Sequence, residues 1–400
     1  MHNMKHLFHL GLVLLAFSCL ITSCKDENED DSSVTQEITE IQLSGETRAI
    51  VETGNRFAFD LFKAHSKLEA DNIHISPISV YLTLAMNANY MTGSERDVIL
   101  SLLNLNQDGN TSLADVNEYC REMLTQLPEA DRRTTCRFAN SLWTTDFGWF
   151  STDLLNLLQK YFFAQIINDD PSGIDGMEKI NTWVKKNTDG YYTDFLKEPI
   201  KGSYAFVNVA YFYGKWTVPF EKEATKNAMF YNLDNTSQTV PMMNKEANCI
   251  YYEDNDLQLV AEPYGNRNFQ MVIILPKNRN NFETVVENLN NDSFNDLLAS
   301  VSSTIVNLYL PKFINSYDKD LIPTFEAMIP DFKSSKKMKE FRHGVKIGVD
   351  ESETKVAAAS LTFGDIAPGF ADMKCNHPFI YIIRETTTGA VLYMGKVVKF

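Results

Sequence analysis

The first part of the chain carries apolar residues at helical spacing. In residues 55–62, Phe59 and Phe62 fall on one stripe together with Leu61 or Phe57. Apolar side chains that recur three or four positions apart share one face of a helix. The segment therefore predicts an amphipathic helix whose apolar face is buried.

A second helix is predicted from residue 79 to residue 91, where apolar side chains stand on nearly every side. Ser76 and Pro77 precede it, a hydroxyl that can cap a helix and a ring that is tolerated in a first turn. A helix that is apolar all round should be buried in the centre of the fold.

Later in the chain the pattern changes to runs rich in Val, Ile, Tyr and Phe, several of which end at Gly or Pro, and these runs predict strands. They are residues 204–213, 257–262, 269–275, 305–310, 379–384 and 391–398. Helices early, strands late and more helix between them indicate an α+β domain with extensive sheets. No long linker, repeat or low-complexity tract follows residue 44, so residues 44–400 are expected to form a single domain.

Length and charge narrow the class of protein. The chain has 400 residues, 44% of them hydrophobic, which is enough for a large buried core. The net charge is −15 and the pI is about 5.0. An acidic surface repels phosphate backbones, so we expect no nucleic acid partner.

The N-terminus has the composition of a signal peptide. Lys5 precedes an apolar run over residues 10–21, and the small residues Thr22 and Ser23 then stand before Cys24. The apolar run is too short for a comfortable membrane-spanning helix, which needs about 20 residues.

Residues 20–24, Leu-Ile-Thr-Ser-Cys, resemble a bacterial lipobox. The resemblance implies that residues 1–23 are removed and that Cys24 is acylated; the alternative is an ordinary signal peptide with a chance cysteine at the cut. Residues 25–31 are mostly acidic, so residues 24–43 should form a solvated tether. This run also resembles the export tag of surface lipoproteins in Bacteroides-like bacteria. We therefore expect an outer membrane lipoprotein that is anchored by its lipid and exposed on the extracellular face.

Catalytic and metal-binding motifs are not found in the sequence. There is no Gly-x-Ser-x-Gly, His-Glu-x-x-His, phosphate-binding glycine loop or Cys-x-x-Cys. Beyond Cys24, four widely spaced cysteines remain, which we interpret as buried small hydrophobes or an incidental disulfide. The protein is therefore expected not to be an enzyme, and neither a metal nor a cofactor is predicted.

Five segments, in order, resemble the serpin family and span nearly the whole mature chain. They are NIHISPISVYLTLAM (72–86), INTWVKKNTDG (180–190), FVNVAYFYGKWTVPFE (206–221), LPKF (310–313) and HPFIYIIRETTTGAVLYMGKVV (377–398). The resemblance implies the serpin fold, in which helices pack around three β-sheets and an exposed reactive loop can insert into the main sheet. It also implies a monomer.

The resemblance assigns a role to five residues near the point where the main sheet opens. It implies that Ser76, Ser79, Asn208 and His343 meet beneath the centre of that sheet, where strands part. It places Trp216 under the position at which the loop first enters. Without the resemblance, these residues would be interpreted as unrelated caps, a surface histidine and a core aromatic.

Residues 349–370 resemble the reactive loop. The run is rich in Thr, Ala and Ser and has no proline between residues 349 and 367. Small residues without proline suit a segment that is exposed first and becomes a strand later. Alternate residues of a strand share one face, and the resemblance implies that the face turned to the core would carry Thr354, Val356, Ala358, Ser360 and Thr362. By the resemblance, the loop covers about residues 351–372, and its hinge contains Glu351, Glu353, Thr354, Val356, Ala357, Ala358 and Ala359.

The resemblance implies suicide inhibition of an endopeptidase. In this mechanism, insertion of the cleaved loop as a new strand releases strain that is stored in the native state. Family register places the bait residue at Ala367, but Pro368 would block that cut, so we prefer the bond between Ile366 and Ala367. No Lys or Arg lies between residues 356 and 370. The expected partner is an elastase-like or subtilisin-like protease, or a papain-like one.

Two hinge residues depart from the family pattern. Inhibitors of the family usually carry a glycine at the position of Glu353 and a small residue at that of Val356. The alternative function is therefore a non-inhibitory serpin-fold protein that binds a partner at the cell surface. A surface hydrolase is the third class, and nothing in the sequence favours it.

Overall fold

The computed structural model describes residues 37–105, 111–334, 338, 340–351 and 369–400. These described residues belong to one compact unit. The α-helices within the described residues are α1 (Gly45–Leu68), α2 (Pro77–Tyr90), α3 (Ser94–Leu102), α4 (Leu113–Gln126), α5 (Thr152–Phe162), α6 (Gly173–Asn187), α7 (Phe282–Asn288), α8 (Asn291–Ala299) and α9 (Ile322–Met328). None of these helices is long and apolar enough to cross a membrane.

The described strands form three hydrogen-bonded sheets. They are β1 (Ile73–Ile75), β2 (Thr134–Thr144), β3 (Gln165–Asn168), β4 (Tyr204–Gly214), β5 (Lys226–Tyr231), β6 (Ser237–Glu253), β7 (Leu257–Tyr264), β8 (Phe269–Pro276), β9 (Ser302–Pro311), β10 (Phe313–Asp320), β11 (Arg342–Val349), β12 (Gly369–Lys374), β13 (Phe379–Glu385) and β14 (Val391–Val397). Every strand predicted from the sequence is present, and the expected α+β class with three sheets is confirmed.

The largest sheet has nine strands in the order β1-β14-β13-β8-β7-β6-β9-β12, with β5 paired to β6. Its central strands β8, β13 and β14 read as nearly continuous apolar runs, and almost all of their residues are buried. A strand that is covered on both faces needs apolar side chains at consecutive positions rather than at alternate ones. This sheet and the helices packed on it hold most of the core.

The two predicted helices are confirmed as α1 and α2. The stripe of α1 is buried at Phe57, Phe59, Leu61 and Phe62 alike. Most residues of α2 are buried, because the helix packs against both β4 and β14.

The prediction of a hydroxyl cap for α2 is wrong in its detail. Ser76 occupies the N-cap position and Pro77 the first turn, but the Ser76 side chain makes no capping bond. Its Oγ donates instead to the main-chain oxygen of Leu392, 2.9 Å away. The reason is burial: Ser76 faces β14, where that carbonyl needs a donor.

The other two sheets are small and separate. One has three strands in the order β3-β2-β4, and the other consists of the antiparallel pair β10 and β11. Helix α6 and the residues after it pack on the three-stranded sheet as a second apolar cluster, apart from the main core. That cluster contains Trp143, Ile180, Trp183, Val184, Tyr192, Phe195, Leu196, Val207 and Val209.

Candidate functional site: a gap between two strands

The candidate site is a gap between β4 and β11. Within the residues that the structure describes, no backbone ladder joins these two strands, although residues of both line the same cavity. The cavity has a volume of about 150 Å³. Its lining includes Tyr211, Tyr213 and Gly214 from β4 and Ile347, Gly348 and Val349 from β11. The facing edges of β4 and β11 are therefore unpaired with each other.

The contacts at the two ends of the gap show that β4 and β11 run in the same direction. Trp216 follows the end of β4 and its Nε1 donates to the main-chain oxygen of Asp350, which follows the end of β11; the distance is 2.9 Å. Nearer the strand starts, Asn208 and His343 contact the same turn of α2. A strand placed between them and running the other way would be antiparallel to both neighbours.

Trp216 lines the gap at the end where β4 and β11 finish. Its side chain is only 2% exposed, and its ring stacks on that of Tyr264, with the centroids 4.4 Å apart and the planes at 16°. Directly after it, the chain contacts the buried ion pair of Lys245 and Glu262. The ammonium of Lys245 donates to the main-chain oxygen of Val218 and lies 5.7 Å from the Trp216 ring centre.

Glu351, the first hinge residue predicted from the sequence, is anchored beside Trp216. Its side chain is buried, accepts a hydrogen bond of 2.8 Å from Thr225 Oγ1 and forms an ion pair of 2.6 Å with Lys312. Burial alone would raise the pKa of this carboxyl, but the hydrogen bonds from Lys312 and Thr225 more than offset that effect, so its pKa lies below the ordinary value. A movable segment that begins here would therefore start after a fixed point.

The predicted polar residues meet at the N-terminal turn of α2, which contains Ser76 and Ser79 and receives Asn208 from β4 and His343 from β11. The main-chain N–H of Ser76 donates to His343 Nε2 over 3.0 Å, and Ser79 Oγ donates to Asn208 Oδ1. Asn208 Nδ2 donates in turn to Asn140 Oδ1 over 2.7 Å. The four sequence-predicted residues thus come together around one helix turn, which joins β11 to β4 although the strands do not pair.

The outer face of the gap is crossed by the segment after α6, which the sequence analysis did not assign to the site. Tyr192 OH donates to the main-chain oxygen of Tyr317 in β10 over 3.3 Å, although Tyr192 also belongs to the apolar cluster of the three-stranded sheet. A Cβ atom at Gly344 would lie 2.3 Å from Tyr192 OH, and one at Gly348 would lie 2.8 Å from Tyr191 OH. A glycine inside a strand often marks a close approach of this kind.

Asn140, Tyr191 and Tyr192 are therefore the residues of the gap that sequence reasoning missed. Two glycines four positions apart in the strand HGVKIGV (343–349) are the one signal that could have indicated the crossing segment.

Several predicted site residues lie outside the described part of the chain. They are Cys24, Glu353, Thr354, Val356, Ala357, Ala358, Ala359, Ile366 and Ala367. Residues 369–372, which the sequence assigned to the end of the loop, lie in β12, where they pair in parallel with β9.

Cysteines and metal ligands do not add to the site. Among the described residues, Cys120, Cys136, Cys249 and Cys375 are buried and free. The part of the chain that the structure describes contains no group of three or more His, Cys, Asp or Glu side chains arranged to hold a metal ion.

Comparison with known proteins identifies the family. The family model "Serpin (serine protease inhibitor)" matches residues 52–400. The chain belongs to the serpin family. Serpins are protease inhibitors or binding proteins rather than catalytic enzymes.

Relatives and solved structures agree with this assignment. An uncharacterized serpin-like protein of Thermococcus kodakarensis is 26% identical over 382 residues, which cover 90% of this chain and 88% of the relative. Corticosteroid-binding globulin of Pongo abelii is 26% identical over 407 residues, covering 96% and 99%. The crystal structure of the thermophilic serpin Tengpin in its native state superposes with a TM-score of 0.76 at 26% identity, covering 91% of this chain and 97% of Tengpin.

Proposed function

We propose that this serpin is a suicide-type inhibitor that traps an endopeptidase by inserting its cleaved loop between β4 and β11. The observation that carries the proposal is the gap: two strands that run in the same direction, lie on one cavity and leave their facing edges unpaired. An unpaired strand edge is a template for a further strand. The gap between β4 and β11 offers two such edges to one inserted strand.

The connectivity supplies a strand of the right direction. The chain leaves β11 at Val349 and is fixed at Asp350 and Glu351 by their contacts with Trp216, Thr225 and Lys312. If the chain then turns back, it runs antiparallel to β11 and therefore also to β4. It would pair with both, as the strands of an antiparallel sheet do.

The following sequence supplies a strand of the right length and bulk. Residues 352–368 number 17, and β11 with its 8 residues spans roughly 27 Å at about 3.4 Å per residue. The small alternate residues of this stretch, such as Ala358 and Ser360, suit a strand buried on one face. The position of Val356 is compatible as well, because valine favours strands.

The proposed mechanism uses the protease's own chemistry. The nucleophile of the protease attacks the carbonyl carbon of the scissile bond, which we place between Ile366 and Ala367. The amine of the new N-terminus leaves, and an acyl-enzyme ester or thioester remains on Ile366. Insertion of the freed loop then carries the attached protease across the sheet and distorts its catalytic geometry before water hydrolyses the acyl bond. The serpin contributes no catalytic residue.

The proposed location and partners follow from the N-terminal sequence. We propose that Cys24 carries the lipid that anchors the protein to the outer membrane and that the serpin domain faces outward. Elastase-like and subtilisin-like serine proteases are the proposed targets, with papain-like cysteine proteases next, because the bait region lacks a basic residue. Trypsin-like enzymes should not be trapped.

A second candidate function is supported by Glu353 and Val356, which differ from the usual hinge residues of inhibitors. A relative of this chain is named as a corticosteroid-binding globulin. In this alternative, the serpin fold binds a partner or ligand at the cell surface, and the loop is cleaved without trapping the protease.

The experiment uses the soluble form that starts at Ser32. It is mixed separately with an elastase, a subtilisin and a papain-like protease, and denaturing gels are searched for a covalent complex. We expect a complex with at least one of them and a released C-terminal fragment that begins at Ala367 by mass spectrometry. Clean cleavage without a complex, for every protease, would favour the binding function.

A pair of variants makes this experiment specific for insertion. Ala358→Pro leaves the bait residues in place but removes a ladder hydrogen bond from the centre of the proposed strand. It should be cleaved without forming a complex. Ala358→Ser is the matched control, since serine is small and keeps its N–H, and it should trap protease as the unmodified protein does.

A further inference from the structure

Three buried histidines connect the β10–β11 sheet to the rest of the protein. They are His65 in α1, His74 in β1 and His343 in β11 itself, and they are 2%, 1% and 4% exposed. The resemblance to serpins assigns a role only to His343. The contacts of all three concern the strand that borders the gap, or its partner strand β10.

His65 holds β10 from the side of α1. Its Nε2 is hydrogen-bonded to Tyr317 OH, and its Nδ1 to Thr324 Oγ1 over 2.7 Å. Tyr317 lies in β10 and Thr324 in α9, the helix that follows it. One imidazole thus uses both nitrogens to connect α1 with two consecutive elements.

His74 holds β10 from the nine-stranded sheet. Its Nε2 is hydrogen-bonded to Asn315 Nδ2 over 3.1 Å and its Nδ1 to Tyr381 OH over 2.8 Å. Its ring stacks between those of Phe313 and Tyr381, with centroid distances of 6.2 and 5.8 Å. With the amide nitrogen of Asn315 as the donor, Nε2 accepts, as it does in a neutral ring.

His343 holds β11, and here the protonation state is fixed most firmly. Its Nε2 accepts the main-chain N–H of Ser76. A backbone N–H is a donor only and cannot reorient to accept. Protonation of Nε2 therefore breaks the contact between β11 and the start of α2.

Taken together, the charged groups near the three histidines do not stabilise the protonated form of these rings. Near His65, Lys319 and Lys396 oppose a positive charge, and Glu69, which is paired with Lys319 over 2.8 Å, favours it. His65 also opposes a charge on His343. The pKa of His74 is affected by burial alone. The ion pair of Asp318 and Arg342 belongs to the same two strands and is not among the groups that shift these histidines.

Burial therefore keeps all three rings neutral. It lowers the pKa of His65 to about 4 and those of His74 and His343 to about 3. In a state in which the rings reach water, the pKa of each would be near 6.5. The buried, neutral rings therefore make their full contribution to the stability of the closed state, in which all three are buried, above about pH 6.5. That contribution decreases as the pH falls from 6.5 towards the pKa values of the buried rings.

We propose that acid releases the β10–β11 sheet from the rest of the protein through protonation of His65, His74 and His343, and so widens the gap beside β11. The released form takes up one proton at each ring. Between pH 7 and pH 5, one histidine with a pKa of 6.5 in the released form favours release by about 25-fold, and three together by about 10⁴-fold. The release itself requires no protease; only its effect on loop insertion rests on the proposed function.

The test is hydrogen exchange measured by mass spectrometry on the soluble form at pH 5 and pH 7, with each rate corrected for the intrinsic exchange rate. Peptides from β10 and β11 report the release, and peptides from β7 and β8 in the nine-stranded sheet are the internal reference. We expect the protection of β10 and β11 to fall by at least 100-fold more than that of the reference. An equal fall in both sheets would overturn the proposal.

Variants separate a titrating role from a structural one. His74→Phe keeps a ring between Phe313 and Tyr381 but cannot be protonated, and His65→Gln keeps a hydrogen-bonding side chain. Each lowers protection at both pH values, but each should reduce the ratio of protection between pH 7 and pH 5 by about 25-fold. His377→Gln is the control, because His377 contacts the main-chain oxygen of Pro276 at the end of β8, and it should leave the ratio for β10 and β11 unchanged.

An unaltered ratio in both His74→Phe and His65→Gln would contradict the proposal, whatever their absolute stability. The outcome is independent of whether a protease is trapped, so failure of this proposal and failure of the inhibitory function are distinguishable.

Discussion

The indole Nε1 of Trp216 donates a hydrogen bond of 2.9 Å to the main-chain oxygen of Asp350. This bond joins the ends of β4 and β11 across a gap that no backbone ladder spans within the described residues. It also fixes the residue that immediately precedes Glu351, so that a buried tryptophan holds the chain just before the proposed movable segment. The native state therefore holds the two strands in place at this end by a side chain rather than by strand pairing.

Replacement of Trp216 by phenylalanine should destabilise the native state. The variant keeps an aromatic ring on Tyr264 but loses the donor, and it leaves the main-chain oxygen of the partly buried Asp350 without this bond. We expect a loss of about 1–3 kcal/mol in the free energy of unfolding, measured by denaturant titration. Trp149→Phe is the control, since Trp149 is 71% exposed and should change stability by less than about 0.5 kcal/mol. Equal effects of the two substitutions would contradict the role given to Trp216.

The ion pair of Glu351 and Lys312 predicts a pH-dependent contribution to stability. The pKa of Glu351 is lower in the folded state than in the unfolded chain, so its contribution is present above about pH 4.3 and is lost as the pH falls through the folded pKa. Glu351→Gln should therefore cost about 1 kcal/mol at pH 7, a modest value because the Lys312 side chain is 37% exposed. The difference from the unmodified protein should shrink below pH 4.

The matched control for this variant is Glu253→Gln. Glu253 pairs with Lys277, but both side chains are well exposed, at 48% and 37%, and such pairs contribute little. Denaturant titrations of both variants between pH 3 and pH 7 make the comparison. If the cost of Glu351→Gln were the same at every pH, its charge would not be what anchors the chain.

The hydrogen bond between Ser79 and Asn208 should be worth more than a surface bond. Ser79→Ala leaves Asn208 Oδ1 without its donor from α2, at a cost of about 1–3 kcal/mol in unfolding free energy. In Ser303→Ala, an exposed bond to Asn248 is removed instead, and the cost should be small. A double-mutant cycle of Ser79→Ala with Asn208→Ala should give a coupling energy above about 0.5 kcal/mol. Additive effects would show that the two side chains act independently.

The close approach of Tyr192 to β11 predicts a rescue by a second substitution. Gly344→Ala places a methyl group where it would meet Tyr192 OH at 2.3 Å, and overpacking of this kind costs about 1–3 kcal/mol. Tyr192→Phe removes the hydroxyl and should restore part of that loss in the double variant. Gly369→Ala, whose Cβ would meet nothing closer than 3.7 Å, is the control. No rescue would mean that the crossing segment does not press on this glycine.

The sequence predicts the elements of this fold well, because their apolar periods are strong. The helix over residues 79–91 and the strands over residues 269–275 and 379–384 were found within one or two positions of their observed ends. A buried central strand needs apolar residues throughout, and a buried helix needs them on all sides, so composition alone specifies both.

No local sequence pattern predicts the gap between β4 and β11. Whether β4 pairs with β11 depends on strands about 130 residues apart in the sequence, and neither strand has a polar or proline-rich edge that would announce a missing neighbour. The resemblance to a family supplied Ser79, Asn208 and His343, whereas Asn140 and Tyr192 follow only from the three-dimensional contacts. Ser76 shows the same limit, because its partner is a carbonyl of β14 rather than the helix that follows it.

The central claim is that the gap between β4 and β11 accepts the cleaved loop as a strand, and thermal unfolding before and after loop cleavage tests it most directly. The soluble form is cleaved within residues 352–368 by a protease that it does not trap, purified and melted beside the intact protein, with Ala358→Pro treated in the same way. We predict that cleavage raises the melting temperature by more than about 10 °C, because a strand of eight residues paired on both sides gains about 16 backbone hydrogen bonds at roughly 1 kcal/mol each. We predict a much smaller rise for Ala358→Pro. An unchanged or lowered melting temperature after cleavage of the unmodified protein would contradict insertion and, with it, the trapping mechanism.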